Sequence, residues 1–309
     1  MIASTLVPNF HSLRSRRIIP IILFFLMLNF CPVETASLAC PPEYGEILFE
    51  SNSKNQNHLF IIAMGHRDAL TRSNGSHTAR VQAEVYKIGE WLVRQEGVEL
   101  LLPEGFFKNP GANTVSNPPP PQSERKGFGE ALDLKTLEAK LSDNRVFLNA
   151  EILLKKNYPL VLQQVEDKKC YEEVGEWLRK LSACRFSSEE YVRIKAKLDS
   201  LQEKRTVVML QKIPELIDRE YSAGNIKTRK AILTIGLSHI PLIQKYLNAR
   251  RIQIDSSPSS LPLVETHSAD LTLLQQKFRI SIFLPKSLAE NPYISINRLS
   301  AQNLTNLSR

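Results

Sequence analysis

Two strand-like apolar runs, far apart in the chain, each lead into a histidine: His58-Leu-Phe-Ile-Ile-Ala-Met-Gly-His66 and Lys230-Ala-Ile-Leu-Thr-Ile-Gly-Leu-Ser-His239. Between them, Val98-Glu-Leu-Leu-Leu-Pro-Glu104 has the same shape and ends in a carboxylate. In open α/β sheets ligands bind outside the carboxyl ends of the strands, so side chains delivered there by separate strands can converge on one site. The 309 residues, 42% hydrophobic and 23% charged, are enough for one large globular domain with a substantial core.

The segment from Thr78 to Gln95 carries Val81, Val85, Ile88 and Leu92 on one helical face, with Gly97 as a terminator. Strand, helix and strand from His58 to Glu104 have the size of a βαβ unit, which favours parallel strands and a right-handed crossover. A helical segment around Asp143 to Tyr158 leads into a third strand, Pro159-Leu-Val-Leu-Gln-Gln-Val-Glu166-Asp167. Two helical stretches follow. The second runs from about Ser188 to Ala223, with Tyr191, Ile194, Leu198 and Leu201 at helical spacing and Pro214 as a kink or break. The fourth strand is Ala231 to Gly236, and further strand candidates are Arg251 to Asp255 and Phe278 to Leu284. The expected fold is therefore α/β: a central, mainly parallel sheet flanked by helices, with a helical excursion between the third and fourth strands. If those four strands are neighbours, His66, Glu104, Glu166 and His239 share one edge.

Three segments lie outside this core. Arg14, Arg16 and Arg17 precede the apolar run Ile18 to Leu28, and Ser37-Leu-Ala39 offers small residues before Cys40, so residues 1–39 read as a signal peptide. Export to the periplasm or envelope follows, with membrane attachment through a retained N-terminus or a lipid on Cys40 as variants of that reading. The stretch 108–130, with Asn117-Pro-Pro-Pro-Pro-Gln122, tolerates no regular element and reads as a loop near Glu104, either a lid or a solvated insertion. Residues 285–309 read as a polar, flexible tail after a single domain over 40–284. Cys170 and Cys184, at the two ends of one helix, would stand about 21 Å apart, beyond disulfide reach.

The net charge of +8 sits partly in the N-terminal segment and is otherwise interleaved with acids, so no basic nucleic-acid patch is expected. Imidazole nitrogen and carboxylate oxygen suit zinc, manganese, iron or cobalt, and a site with an open position can activate water.

These motifs resemble the superfamily that groups TraB/PrgY pheromone-shutdown proteins, TIKI metalloproteases, ChaN-like haem-binding lipoproteins and erythromycin esterases. Gly236-Leu-Ser-His239 matches its second Gly-x-x-His motif, Leu-Leu-Pro-Glu104-Gly its first acidic strand end, Gln164-Val-Glu166-Asp167 its second, and Asp218-Arg219-Glu220 its helical arginine segment. The chain departs from the pattern at Ala63-Met-Gly-His66, where alanine stands for the first glycine, and at Val165, where leucine is usual. The resemblance spans residues 58 to 250 and implies an α/β fold with its site at the strand ends. It implies His66, His239 and Glu104 as metal ligands and Glu104, Glu166 and Arg219 as catalytic groups, with Arg219 holding an anionic group or tetrahedral intermediate. Asp68 and Asp167 are weaker candidates, and His11, His58, His77 and His267 have no matching context. The expected function is a metal-dependent hydrolase of peptide or ester bonds; the alternative is a non-catalytic envelope protein that binds haem or a peptide signal. The sequence does not fix an oligomeric state.

Overall fold

The computed structural model describes residues 38–51, 53–65, 75–105, 132–145, 148–248, 251–254 and 267–291. His66, Asp68, His11, the N-terminal apolar run, the 108–130 segment and residues 292–309 lie outside them. The chain from Cys40 onward forms one unit, an α/β fold around a six-stranded sheet.

In chain order the strands of that sheet are β1 (Gly45–Glu50), β2 (His58–Met64), β3 (Leu100–Pro103), β4 (Val161–Leu162), β5 (Lys230–Gly236) and β8 (Arg279–Pro285), arranged β1-β8-β2-β5-β3-β4. The four strands expected to be neighbours, β2, β5, β3 and β4, are neighbours and all parallel. β8 is parallel to β2, while β1 pairs antiparallel with β8 and closes the sheet. β2 is buried along its whole length, which is why it reads as an unbroken apolar run: a strand covered on both faces has no polar side to alternate with. A separate two-stranded ribbon joins β6 (Arg251–Ile254) to β7 (His267–Asp270) in antiparallel register.

The first crossover helix, α1 (Ser76–Glu96), ends where expected, with Gly97 in the left-handed region at φ 67° and its N–H bonded to the Leu92 carbonyl. The helix expected over 143–158 is shorter, α3 (Ala150–Asn157), because the Asn149 side chain caps it by accepting from the Ile152 N–H. A separate helix, α2 (Leu134–Ser142), precedes it, capped by Asp133. The helical excursion is a hairpin of α4 (Lys168–Ala183) and α5 (Glu189–Ser222), held by Val174, Leu198 and Leu201 with Trp177 and Leu181 packed against them. Pro214 lies inside α5 without ending it. A short 3₁₀ turn (Leu237–His239) and α6 (Ile240–Asn248) follow β5, α7 (Thr272–Lys277) precedes β8, and α8 (Lys286–Ala289) follows it.

α8 corrects the expectation of a tail from 285: Leu288 is buried, and the buried carboxylate of Glu84 on α1 accepts from the Ser287 N–H and hydroxyl. The domain therefore extends past Leu284. Cys40, Cys170 and Cys184 are all free thiols, as helix geometry requires of the last two. Among the described residues no helix is long and apolar enough to cross a membrane.

Candidate functional site

The parallel register places the ends of β2, β5 and β3 side by side. Met64 lies opposite Gly236, and Pro103 opposite Thr234. The residues that follow those strands therefore leave the sheet at one edge, and there the structure brings together Glu104, Glu166 and His239. His66, two residues beyond Met64, lies outside the described residues. The last described residue before it is Gly65, whose carbonyl accepts from Gln82 Nε2 at 2.8 Å, while Gln82 Oε1 accepts from the Ala150 N–H at 2.8 Å. One buried amide thus ties the end of β2 to the start of α3. Ala63, where the family pattern has glycine, is a fully buried strand residue, and Ser187 is the one described non-glycine residue with positive φ. The alanine therefore imposes no backbone strain.

The centre of the cluster is Arg205, which the sequence reading did not single out. Its Nε donates to Glu166 Oε1 at 2.9 Å and its NH2 to Glu166 Oε2 at 2.6 Å, a two-pronged ion pair. The same NH2 group donates to Glu104 Oε1 at 2.7 Å, and NH1 donates to Gln202 Oε1 at 3.2 Å. Side-chain exposure is 7% for Arg205, 7% for Glu104 and 0% for Glu166, so all three charges are withdrawn from water. Burial alone would lower the pKa of the guanidinium. The bonds to Glu166 and the charge of Glu104 outweigh that, and the net displacement is upward. The Tyr171 ring lies 5.3 Å from the guanidinium.

Backbone groups complete the cradle. Glu104 Oε2 accepts from the Gly236 N–H at 2.5 Å, so the first residue of the Gly-x-x-His motif holds the carboxylate from the neighbouring strand. Gly105, at φ 88° where only glycine is comfortable, points its N–H at Glu166 Oε2 at 3.3 Å and its carbonyl at Gln164 Nε2 at 2.5 Å. The Glu-Gly pair after β3 is thus required by the turn as well as by the carboxylate.

His239 is buried at the end of the 3₁₀ turn, with Nε2 3.3 Å from Glu104 Oε1 and Nδ1 2.5 Å from Thr206 Oγ1. Threonine, imidazole and carboxylate in a row invite comparison with a nucleophile triad. Thr206 is fully buried, however, and its hydroxyl also lies 2.8 Å from the Gln202 carbonyl, so no substrate reaches it.

Arg219 is not in the cluster. Its side chain is 53% exposed, its Nε bonds to Glu220 Oε1 at 3.1 Å and its NH2 to Gln163 Oε1 at 3.0 Å. The buried arginine of this helix is Arg205, four turns before Arg219 and about 21 Å along the axis. A signal for it existed: Ile194, Leu198, Leu201 and Arg205 continue one spacing of four, three and four residues, so Arg205 is a charge on the buried stripe of its helix. Asp167 caps α4 through the Cys170 N–H and pairs with Lys212 at 3.1 Å, which holds its carboxyl below the usual range. His77 is exposed on the first turn of α1.

Among the described residues no three histidine, cysteine, aspartate or glutamate side chains gather as a metal-holding group. Two donors do meet, His239 Nε2 and Glu104 Oε1, and a 3.3 Å separation is what two atoms each about 2.0–2.2 Å from one ion would show. No family model, no curated protein and no solved structure matches the chain.

Proposed function

We propose that this chain is a metal-dependent hydrolase of the TraB/TIKI-like type, exported to the envelope and acting on peptide or ester bonds. The observation that carries the reading is the meeting of two metal-type donors at the carboxyl edge of the sheet, His239 Nε2 and Glu104 Oε1, 3.3 Å apart with both side chains buried. An imidazole nitrogen and a carboxylate oxygen at that separation are a donor pair that would suit a divalent cation. His66, two residues past the end of β2 in the sequence, would be the third ligand. A divalent ion held there would supply Lewis-acid chemistry and could activate a water.

The remaining residues have distinct parts in this reading. Glu166 is the counter-charge that orients the guanidinium, and Arg205 is a brace that presents Glu104 with Oε1 toward His239. With Nε and NH2 given to the carboxylates and NH1 to Gln202, Arg205 is poorly placed to hold a substrate anion, the part first expected of the helical arginine. The haem or peptide-signal alternative draws no support from a specific contact.

The test is to load purified protein with Zn²⁺, Mn²⁺, Fe²⁺ or Co²⁺, measure bound metal after dialysis, and assay a p-nitrophenyl ester and a quenched fluorescent peptide. One equivalent of metal and metal-dependent turnover are expected, both lost in His239→Ala, Glu104→Ala and His66→Ala. Metal retained by all three variants would exclude the proposed ligand set, and stoichiometric metal without turnover of either substrate class would leave a binding protein.

A further inference from the structure

The far end of the α4–α5 hairpin carries apolar side chains that the core of the domain does not take up. There the Ser188 N–H donates to the Arg185 carbonyl at 3.2 Å, closing a turn with Phe186 and Ser187 at its corners. Ser187 takes φ 61°, the left-handed region that favours glycine, so the turn is held at a backbone cost. Phe186 is 77% exposed and Val192, at the end of the first turn of α5, is 61% exposed; they are the two most exposed large apolar side chains among the described residues. The Phe186 ring is braced, packing edge-on against Tyr191 with centroids 5.2 Å apart.

Around this apex the cations face outward. Lys180 pairs with Glu176 at 2.7 Å and Lys195 with Asp199 at 2.5 Å, and in both pairs the lysine is the member nearer the turn. Arg179, Arg185 and Arg193 are exposed and join no ion pair among the described residues. The two acids at the apex, Glu189 and Glu190, lie on the first turn of α5, where the helix dipole offsets their charge. Arg179 and Arg193 each stand four residues inside their helices, about 6 Å behind the apex. An interfacial segment buries its apolar side chains about 5–10 Å into the headgroup boundary and leaves its cations among the phosphates, which is the same spacing. Two apolar side chains fall well short of the about 800 Å² per partner that a standard protein interface takes. We infer that the α4–α5 hairpin is a membrane-docking arm: Phe186 and Val192 enter the surface of a bilayer rich in anionic lipid, and Arg179, Arg185 and Arg193 meet its phosphates. α4 begins beside Glu166 and α5 returns to the cluster at Arg205, so about 24 Å of helix lies between the apex and the sheet edge. Docking of this kind needs neither a bound metal nor turnover.

The experiment puts a fluorescent probe on the apex. Phe186→Trp, in the full chain with Trp91→Phe and Trp177→Phe, is titrated with vesicles of phosphatidylcholine alone and of phosphatidylcholine and phosphatidylglycerol mixed two to one, with and without brominated acyl chains. On the mixed vesicles the emission should shift to the blue and be quenched by the bromines. It should change little on phosphatidylcholine alone, and the effect should weaken in about 1 M salt, where screening falls to about 3 Å. Arg185→Ala should reduce affinity about five-fold, the worth of one cation at an anionic surface. Arg179→Glu combined with Arg193→Glu should abolish binding while leaving the circular dichroism unchanged, because both side chains are exposed. Protein that sediments with the mixed vesicles while the probe stays unquenched binds through another segment, and that result overturns the inference. Equal quenching on both vesicle types overturns the part given to the arginines. A probe shift that grows with protein concentration in the absence of lipid would make a second copy the occupant, and a shift with heparin as large as with vesicles would make it a soluble polyanion; either overturns the membrane assignment.

Discussion

His58 and His239 sit at opposite ends of two strands that run side by side, and the same side chain has a different meaning at each end. His58 opens β2, where its backbone partners are Lys230 on one side and Arg279 on the other. Its ring stacks on Phe60 with centroids 3.8 Å apart, and Nε2 bonds to Ser281 Oγ at 2.8 Å. Burial first, then the two cations, push its pKa down to about 3, so it is a neutral, polar piece of the core. His239 follows β5 at the carboxyl edge, facing a carboxylate instead of cations. What decides a histidine's part is the charge around it: cations flank His58, whereas the carboxyl edge of the sheet brings Glu104 and Glu166 together around Arg205 beside His239.

If that contrast is right, the acidic end should be fragile to loss of a single charge. Glu166→Ala removes both prongs of the Arg205 pair from a site where the glutamate side chain is wholly buried. Breaking one partner of a buried pair costs about 3–5 kcal/mol, so the urea midpoint should fall by a large fraction of the total stability. A loss under about 1 kcal/mol would mean that water reaches the cluster and that Arg205 is not a buried brace.

The opposite end makes a prediction in pH. The folded state holds His58 neutral down to about pH 3, whereas the unfolded chain protonates it near 6.5. Between those values the unfolded state binds more protons, so stability falls as pH drops through the window and is unaffected above it. Each unit of pKa separation is worth about 1.4 kcal/mol, which gives a loss of roughly 2–3 kcal/mol between pH 6.5 and 4.5. His58→Gln should flatten this part of the acid limb while His239→Ala leaves the His58 contribution in place. Equal acid limbs in wild type and His58→Gln would show that the ring titrates normally and that the two ends differ less than their contacts suggest.

The legible parts of this molecule are those where burial removes ambiguity. β2, β3 and β5 announce themselves as unbroken apolar runs because both faces are covered, and their ends predicted one shared edge. β1, Gly-Glu-Ile-Leu-Phe-Glu, is a half-covered edge strand with acids at two of six positions, and β7, His-Ser-Ala-Asp, has no strand-favouring residue at all. Their pairing is decided by partners far away in sequence, Arg279–Pro285 for one and Arg251–Ile254 for the other. The same holds at the site. Glu104, Glu166 and His239 were readable from strand ends, whereas Gln202 and Thr206 look like ordinary helix residues until the sheet edge arrives beside them.

Arg219 gives the smallest expected effect and the sharpest contrast within one helix. The motif resemblance favoured it because Asp218-Arg219-Glu220 sits late in α5, and position along a helix is visible in sequence while the direction a side chain takes is not. Arg219 is 53% exposed and bonds to its neighbour Glu220 and to Gln163, contacts that water can replace. Arg205 is 7% exposed and holds two buried carboxylates. Arg219→Ala should therefore change stability by no more than about 0.5 kcal/mol, with metal content and any turnover at wild-type levels. Arg205→Ala, in the same assays, should lose both. If Arg219→Ala instead abolished turnover while the protein remained folded and metal-loaded, the arginine would have to reach substrate from outside the cluster, and Arg205 would be left as a purely structural brace.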